Sequence, residues 1–233
     1  GYRVAHIKTD SIKIPDINDE NTQFVMDFGK RYGYTFEWEA TYDKMCLVND
    51  AVYIARYRNE DGSVGKWTAT GAQFAEPYVF KSLFSHEDLT LDDYCQTKSV
   101  STSLYLDYNE DLPKDEHNYV FVGKVGSFLP VVAGAGGAEL VRESKDKFTS
   151  ATGAKGYRWL EAETVKNLDK QDDIDISYYV KLADAAVAKC EEYGSFEWLV
   201  DPAPYNCTVP YDTKPLDIYD PDDECPFEEM KGE

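Results

Sequence analysis

The chain has 233 residues, 42% of them hydrophobic and 18 of them tyrosine, enough to bury a substantial core in one large or two small folded units. Its formal net charge of −20 argues against a nucleic-acid protein only until it is divided, because residues 1–66, 67–159 and 160–233 carry −2, −4 and −14. No run approaches the roughly 20 apolar residues of a membrane span, Arg3, His6, Lys8 and Asp10 interrupt any signal-peptide core, and the five scattered cysteines form no C-x-x-C pair; a soluble cytoplasmic protein with reduced thiols is expected.

Tyr2 to Ile7 and Ser11 to Ile14 are β-favouring runs on either side of Lys8-Thr9-Asp10, closed by Pro15-Asp16, and predict a hairpin with a carboxylate at its tip. Asp19 to Tyr32 carries apolar Phe24, Val25 and Phe28 and stops at Gly33, which predicts an amphipathic helix packed on that hairpin. Tyr34 to Val48, Ala51 to Tyr57 and Val64 to Thr68 predict strands, the last two joined by the turn Asn59-Glu60-Asp61-Gly62. The first third is therefore an antiparallel sheet with a helix on one face, within an α+β fold.

From Gly71 to about Asp115 the pattern predicts a helical subdomain, with helices over Pro77 to Phe84 and Thr90 to Ser101. Tyr119 to Trp159 returns to strands punctuated by glycine and predicts a small β module. Ile176 to Tyr193 has helical spacing and Gly194 to stop it, and residues 201–233 read as an acidic, Pro-rich tail. The domain division is thus 1–70, 71–118, 119–160, 161–200 and 201–233.

Residues 120–159 are locally basic, with Lys124, Arg142, Lys145, Lys147, Lys155 and Arg158 against Glu139, Glu143 and Asp146. Gly123, Gly126, Gly153 and Gly156 allow backbone N–H groups to approach phosphates closely, and Lys124, Lys155 and Arg158 add charge, so this stretch is a candidate DNA contact. Hairpin turns in a β module account for the same glycines. No P-loop pattern occurs, and Glu37 and Glu39, one strand period apart, fit a solvated face better than a glycosidase pair.

The segment from Val4 to Ile14, with Lys8-Thr9-Asp10-Ser11 at its centre, resembles the metal-binding hairpin of family B DNA polymerases, whose usual form is Asp-Thr-Asp-Ser. The resemblance continues through Phe36-Glu37-Trp38-Glu39-Ala40-Thr41-Tyr42 into Asn49-Asp50-Ala51-Val52-Tyr53, where the family has Asn-Lys-Lys-Arg-Tyr. Thr70-Gly71-Ala72-Gln73-Phe74 then stands where the family enters its thumb. Three landmarks in order cover about the first 85 residues; beyond Asp115, the stretches Val122-Gly123-Lys124-Val125-Gly126 and Gly153-Ala154-Lys155-Gly156-Tyr157-Arg158-Trp159 are similar to phage members of the family, which act in the cytoplasm of a bacterial host.

The resemblance implies the C-terminal palm and thumb of a DNA-directed DNA polymerase acting on primer–template DNA and deoxynucleoside triphosphates (dNTPs). Two Mg²⁺ ions would activate the primer 3′-hydroxyl and clamp the triphosphate. Asp10 matches the family's second motif carboxylate and would be a catalytic metal ligand; read without the resemblance, it is a turn-stabilising Asx residue. Lys8 replaces the first carboxylate, either to contact a phosphate or as an ordinary edge-hairpin lysine. Tyr53 matches the primer-positioning aromatic, and Arg56 or Arg58 would supply the charge lost at Ala51. The other metal carboxylate and the fingers are expected either from the rest of a longer chain of which this is a fragment or from a second polypeptide, and without them the chain is inactive. A non-catalytic descendant serving as an interaction module is the competing reading, favoured by Lys8 and Ala51.

Overall fold

The computed structural model describes residues 3–109, 112–145 and 147–204. Within them the chain is α+β, with three antiparallel sheets. A hairpin of β1 (His6–Lys8) and β2 (Ser11–Lys13) turns at Thr9 and Asp10, with Thr9 in the left-handed region at φ 47°. The helix α1 (Asp19–Arg31) follows, started by the Asn18 side chain, which accepts from the Asn21 N–H at 2.9 Å, with Asp19 and Glu20 in the first turn and Lys30 and Arg31 in the last.

The second sheet is a meander of β3 (Thr41–Asn49), β4 (Val52–Arg58) and β5 (Val64–Thr70) in sequence order. Residues 34–40, expected as strand, lie outside the ladder. Gly71, at φ 92° and ψ 148°, turns β5 into the short helices α2 (Ala72–Ala75) and α3 (Pro77–Phe80), and a π-turn covers Lys81–Ser85. Phe74, Val79 and Phe84 cover Ile54 and Cys46 on one face of the meander and form its core.

The expected helix over Thr90 to Ser101 does not form. Only a 3₁₀ turn, Leu91–Tyr94, is present, and the chain then runs into the long strand β6 (Gln96–Asp107). The β module therefore begins near residue 96 and takes in much of the segment expected as helical. It comprises β6, β7 (Tyr119–Val131), β8 (Glu139–Ser144), β9 (Lys147–Ser150) and β10 (Arg158–Glu161), in the order β10-β7-β6-β8-β9, curled into a half-barrel. Leu104, Leu106, Phe128, Leu129, Leu140 and Trp159 belong to its core.

Two further helices, α4 (Ala162–Asn167) and α5 (Ile176–Glu191), close that core, and α6 (Phe196–Val200) follows. The helix α5 serves both cores: Tyr178 and Tyr179 lie with the half-barrel, Ala186 and Cys190 with the meander, and Leu182 touches both. No helix among the described residues is long and apolar enough to cross a membrane. The acidic tail beyond residue 204 lies outside the described residues.

The amphipathic helix α1 forms where expected but is not buried against the hairpin. Among its residues only Asn21 and Gly29 are buried, while Phe24 and Phe28 remain 52% and 47% exposed. Ile12 of the hairpin, Phe24, Phe28 and Tyr32 of the helix end, and Tyr34 and Phe36 of the following segment line an open apolar groove of about 470 Å³.

Candidate functional site

The hairpin carries two of the predicted site residues. Asp10 is exposed in the turn, where the Thr9 hydroxyl donates to its Oδ1 at 2.9 Å, and Lys8 is exposed at the end of β1, where its carbonyl accepts from the Ser11 hydroxyl. The hairpin is fixed to the meander by its other end. His6 is buried and faces the Tyr53 ring at 6.3 Å between centroids, and the Lys13 ammonium lies 5.3 Å from the same ring centre. Lys13 Nζ also reaches within 3.5 Å of His6 Nδ1, while His6 Nε2 is buried with no partner among the described residues. The geometry therefore joins Tyr53 to the hairpin as the surface that seats it.

Arg56 requires a correction. It is buried, with its guanidinium paired to Asp43 through Nε at 3.0 and 3.2 Å and through Nη2, and with Nη1 and Nη2 donating to the carbonyls of Asp201 and Ala203. Such a guanidinium cannot also bind a phosphate. The register of β3 shifts between Tyr42 and Lys44, and this bulge lets the consecutive residues Asp43 and Lys44 both be buried. Lys44 donates to the carbonyls of Trp198 and Asp201, and burial together with the neighbouring Arg56 holds its pKa below the usual lysine range. Arg58, the alternative source of the missing charge, is exposed at the end of β4.

Lys124, Lys155 and Arg158 lie on the half-barrel rather than beside the hairpin. Lys124 is exposed on β7 next to Gly123, at φ 111°, where the β6–β7 register shifts. Lys155 is exposed in the turn from Ala151 to Tyr157. Arg158 begins β10 and, with Tyr108 and the loop residues Gly134, Gly136 and Gly137, lines a shallow pocket of about 340 Å³. At Gly137 a Cβ would lie 2.5 Å from Val131, so close packing of the loop explains this glycine.

The structure also places two lysines that the sequence did not single out on neighbouring aromatic rings. The Lys98 ammonium, on β6, lies 5.1 Å from the ring centre of Trp159 and 6.0 Å from that of Tyr178. Lys181, on α5, donates to the Tyr157 hydroxyl at 2.8 Å and sits over that ring at 5.0 Å. Once residues 96–100 are assigned to a strand, alternation places Gln96, Lys98 and Val100 on one face. That was the missing signal, since the segment had read as helix.

One exposed carboxylate beside a lysine does not fit a two-Mg²⁺ site. Among the described residues no three His, Cys, Asp or Glu side chains are grouped to hold a metal ion. Comparison with protein-family models, with curated proteins and with solved structures gives no match.

Proposed function

We propose that the chain is the C-terminal palm and thumb portion of a phage-type family B DNA polymerase, contributing Asp10 to its metal site and a surface to primer–template DNA. In this reading residues 1–70 belong to the palm and the helices from Ala72 onward begin the thumb. The observation that carries it is the exposed Asp10 at the tip of a hairpin that His6, Lys13 and Tyr53 hold in place from behind. A carboxylate at the tip of a hairpin anchored at its base is presented to whatever approaches the tip.

The apolar groove lined by Phe24, Phe28, Tyr32 and Phe36 supports the same reading, because it leaves the face beside the hairpin uncovered. A segment bearing the second metal carboxylate and the fingers, whether covalently joined or a separate polypeptide, would complete the site. Asp10 does not hold two Mg²⁺ ions without it.

The test is reconstitution. Mixing the chain with a polypeptide that carries the complementary palm and fingers, in Mg²⁺ with primer–template and dNTPs, gives primer extension. Asp10→Asn lowers that extension by about 10²-fold or more, the loss of a group acting on the transition state. Equal extension by the mutant and the unaltered chain would remove Asp10 from the metal site. The exposed Lys8 beside Asp10 favours the second reading, a non-catalytic interaction module; absence of extension with intact binding of the partner polypeptide would select it.

A further inference from the structure

We propose that Lys98, Lys181 and the turn containing Gly153 and Gly156 form a binding site for a phosphate of a nucleic-acid backbone. The assignment of the phosphate to DNA rests on the polymerase reading; the site itself rests on geometry. Lys98 is partly buried, and among the described residues nothing accepts a hydrogen bond from its ammonium. The carboxylate of Glu76 lies in its vicinity but is engaged by the Val79 N–H at 3.1 Å and the Gln96 amide at 2.7 Å. Burial holds the Lys98 pKa below the usual lysine range. A partly desolvated cation resting on two aromatic faces, without an acceptor, gains most from an incoming anion.

Access to that cation is controlled by a glycine. A Cβ placed on Gly153, which has φ 70°, would lie 3.4 Å from Lys98 Nζ, so a side chain there would cover the ammonium. The turn adds donors: the N–H groups of Gly153, Lys155 and Gly156 have no acceptor among the described residues. Lys181 belongs to the same constellation because the Tyr157 ring it covers packs at 4.9 Å on Tyr178 and at 6.4 Å on Trp159, the two rings beneath Lys98. Lys98 and Lys181 thus rest on different rings of one aromatic trio, and the turn beside Lys98 carries N–H groups without an acceptor among the described residues. That arrangement suits a tetrahedral oxyanion with several acceptor atoms. Its position in the locally basic part of an otherwise acidic chain favours a polyanion.

Lysine footprinting of the full chain tests this. Reductive methylation, read by mass spectrometry, is run alone, with a primer–template oligonucleotide, and with inorganic pyrophosphate. The expected result is protection of Lys98 and Lys181 by the oligonucleotide alone, with Lys189 as the unprotected reference on the same helix. Equal protection by pyrophosphate would replace the backbone with a free phosphate as ligand. No protection by either overturns the site.

As a second measurement, Lys98→Gln weakens oligonucleotide binding alike on two unrelated sequences and lowers the slope of log affinity against log salt by about 1, whereas Lys98→Arg retains both. Unchanged affinity and slope in Lys98→Gln would also overturn it. Failure of primer extension with the complementary palm and fingers bound, while Lys98 is still protected, would refute the polymerase reading and leave the phosphate site standing.

Discussion

The pair Asp43–Arg56 shows how little freedom a charged residue has once a strand bulge turns it inward. Both side chains are almost fully buried, and the guanidinium is satisfied by one carboxylate and two main-chain carbonyls. Removing the carboxylate alone leaves an uncompensated buried charge, so Asp43→Ala is expected to cost about 3–5 kcal/mol in urea unfolding. Arg58→Ala, on the exposed end of the same strand, is expected to stay within about 0.5 kcal/mol. Two other buried carboxylates contribute to the acid limb of stability. For Asp93 burial raises the carboxyl pKa, but hydrogen bonds from Lys81 and Thr90 outweigh it; for Asp107 the same balance is struck by Asn109 and His117. Both end below the usual carboxylate range. A group whose pKa is depressed by folding contributes stability above its unfolded value, and that stability is lost as pH falls through the lowered folded value. Asp93→Asn and Asp107→Asn together should therefore flatten the decline of unfolding free energy below about pH 4. A decline as steep as in the unaltered chain would show that other carboxylates dominate.

At the level of elements, the junction from β5 into α2 depends on one residue. Gly71 sits at φ 92°, and a Cβ there would meet Val52 at 2.7 Å and the Ala51 carbonyl at 3.0 Å. Gly71→Ala is expected to lose about 1–3 kcal/mol, with near-complete loss of folding if the junction cannot relax; thermal unfolding measures it. This position was legible in the sequence, as were α1, the three-strand meander and α5, because each is encoded by local signals: a stopping glycine, a turn, a repeating apolar spacing. The long strand β6 was not. Its partners β7 and β8 follow it at a distance in sequence, and none of the residues in its first half is fully buried, so local periodicity carried little of the pairing. The same limit applied to the site. Asp10 at a hairpin tip could be read directly, whereas the burial of Arg56 depends on carbonyls of residues 201 and 203, and the placing of Lys98 on rings from β10 and α5.

For the whole molecule, the apolar groove beside the hairpin is a surface open to a partner. Phe24→Glu with Phe28→Glu leaves the exposed side of α1 soluble, so its stability cost should be under about 1 kcal/mol. Under the polymerase reading the same double change abolishes pull-down of the complementary palm and fingers; retained capture would place the contact elsewhere. The division of the chain into successive segments also gives way to a different organisation. The helix α5 enters the half-barrel core through Tyr178 and Tyr179 and the meander core through Ala186 and Cys190, where the Cys46 and Cys190 thiols meet across β3 and the helix. Each sheet thus uses a different end of one rod as its lid. The rod follows every strand in sequence, so a nascent chain has all ten strands made before either sheet can be closed. Truncation ahead of Ile176 would leave both cores open at once, and fragments cut between the sheets would yield at most one folded product: the piece that keeps α5.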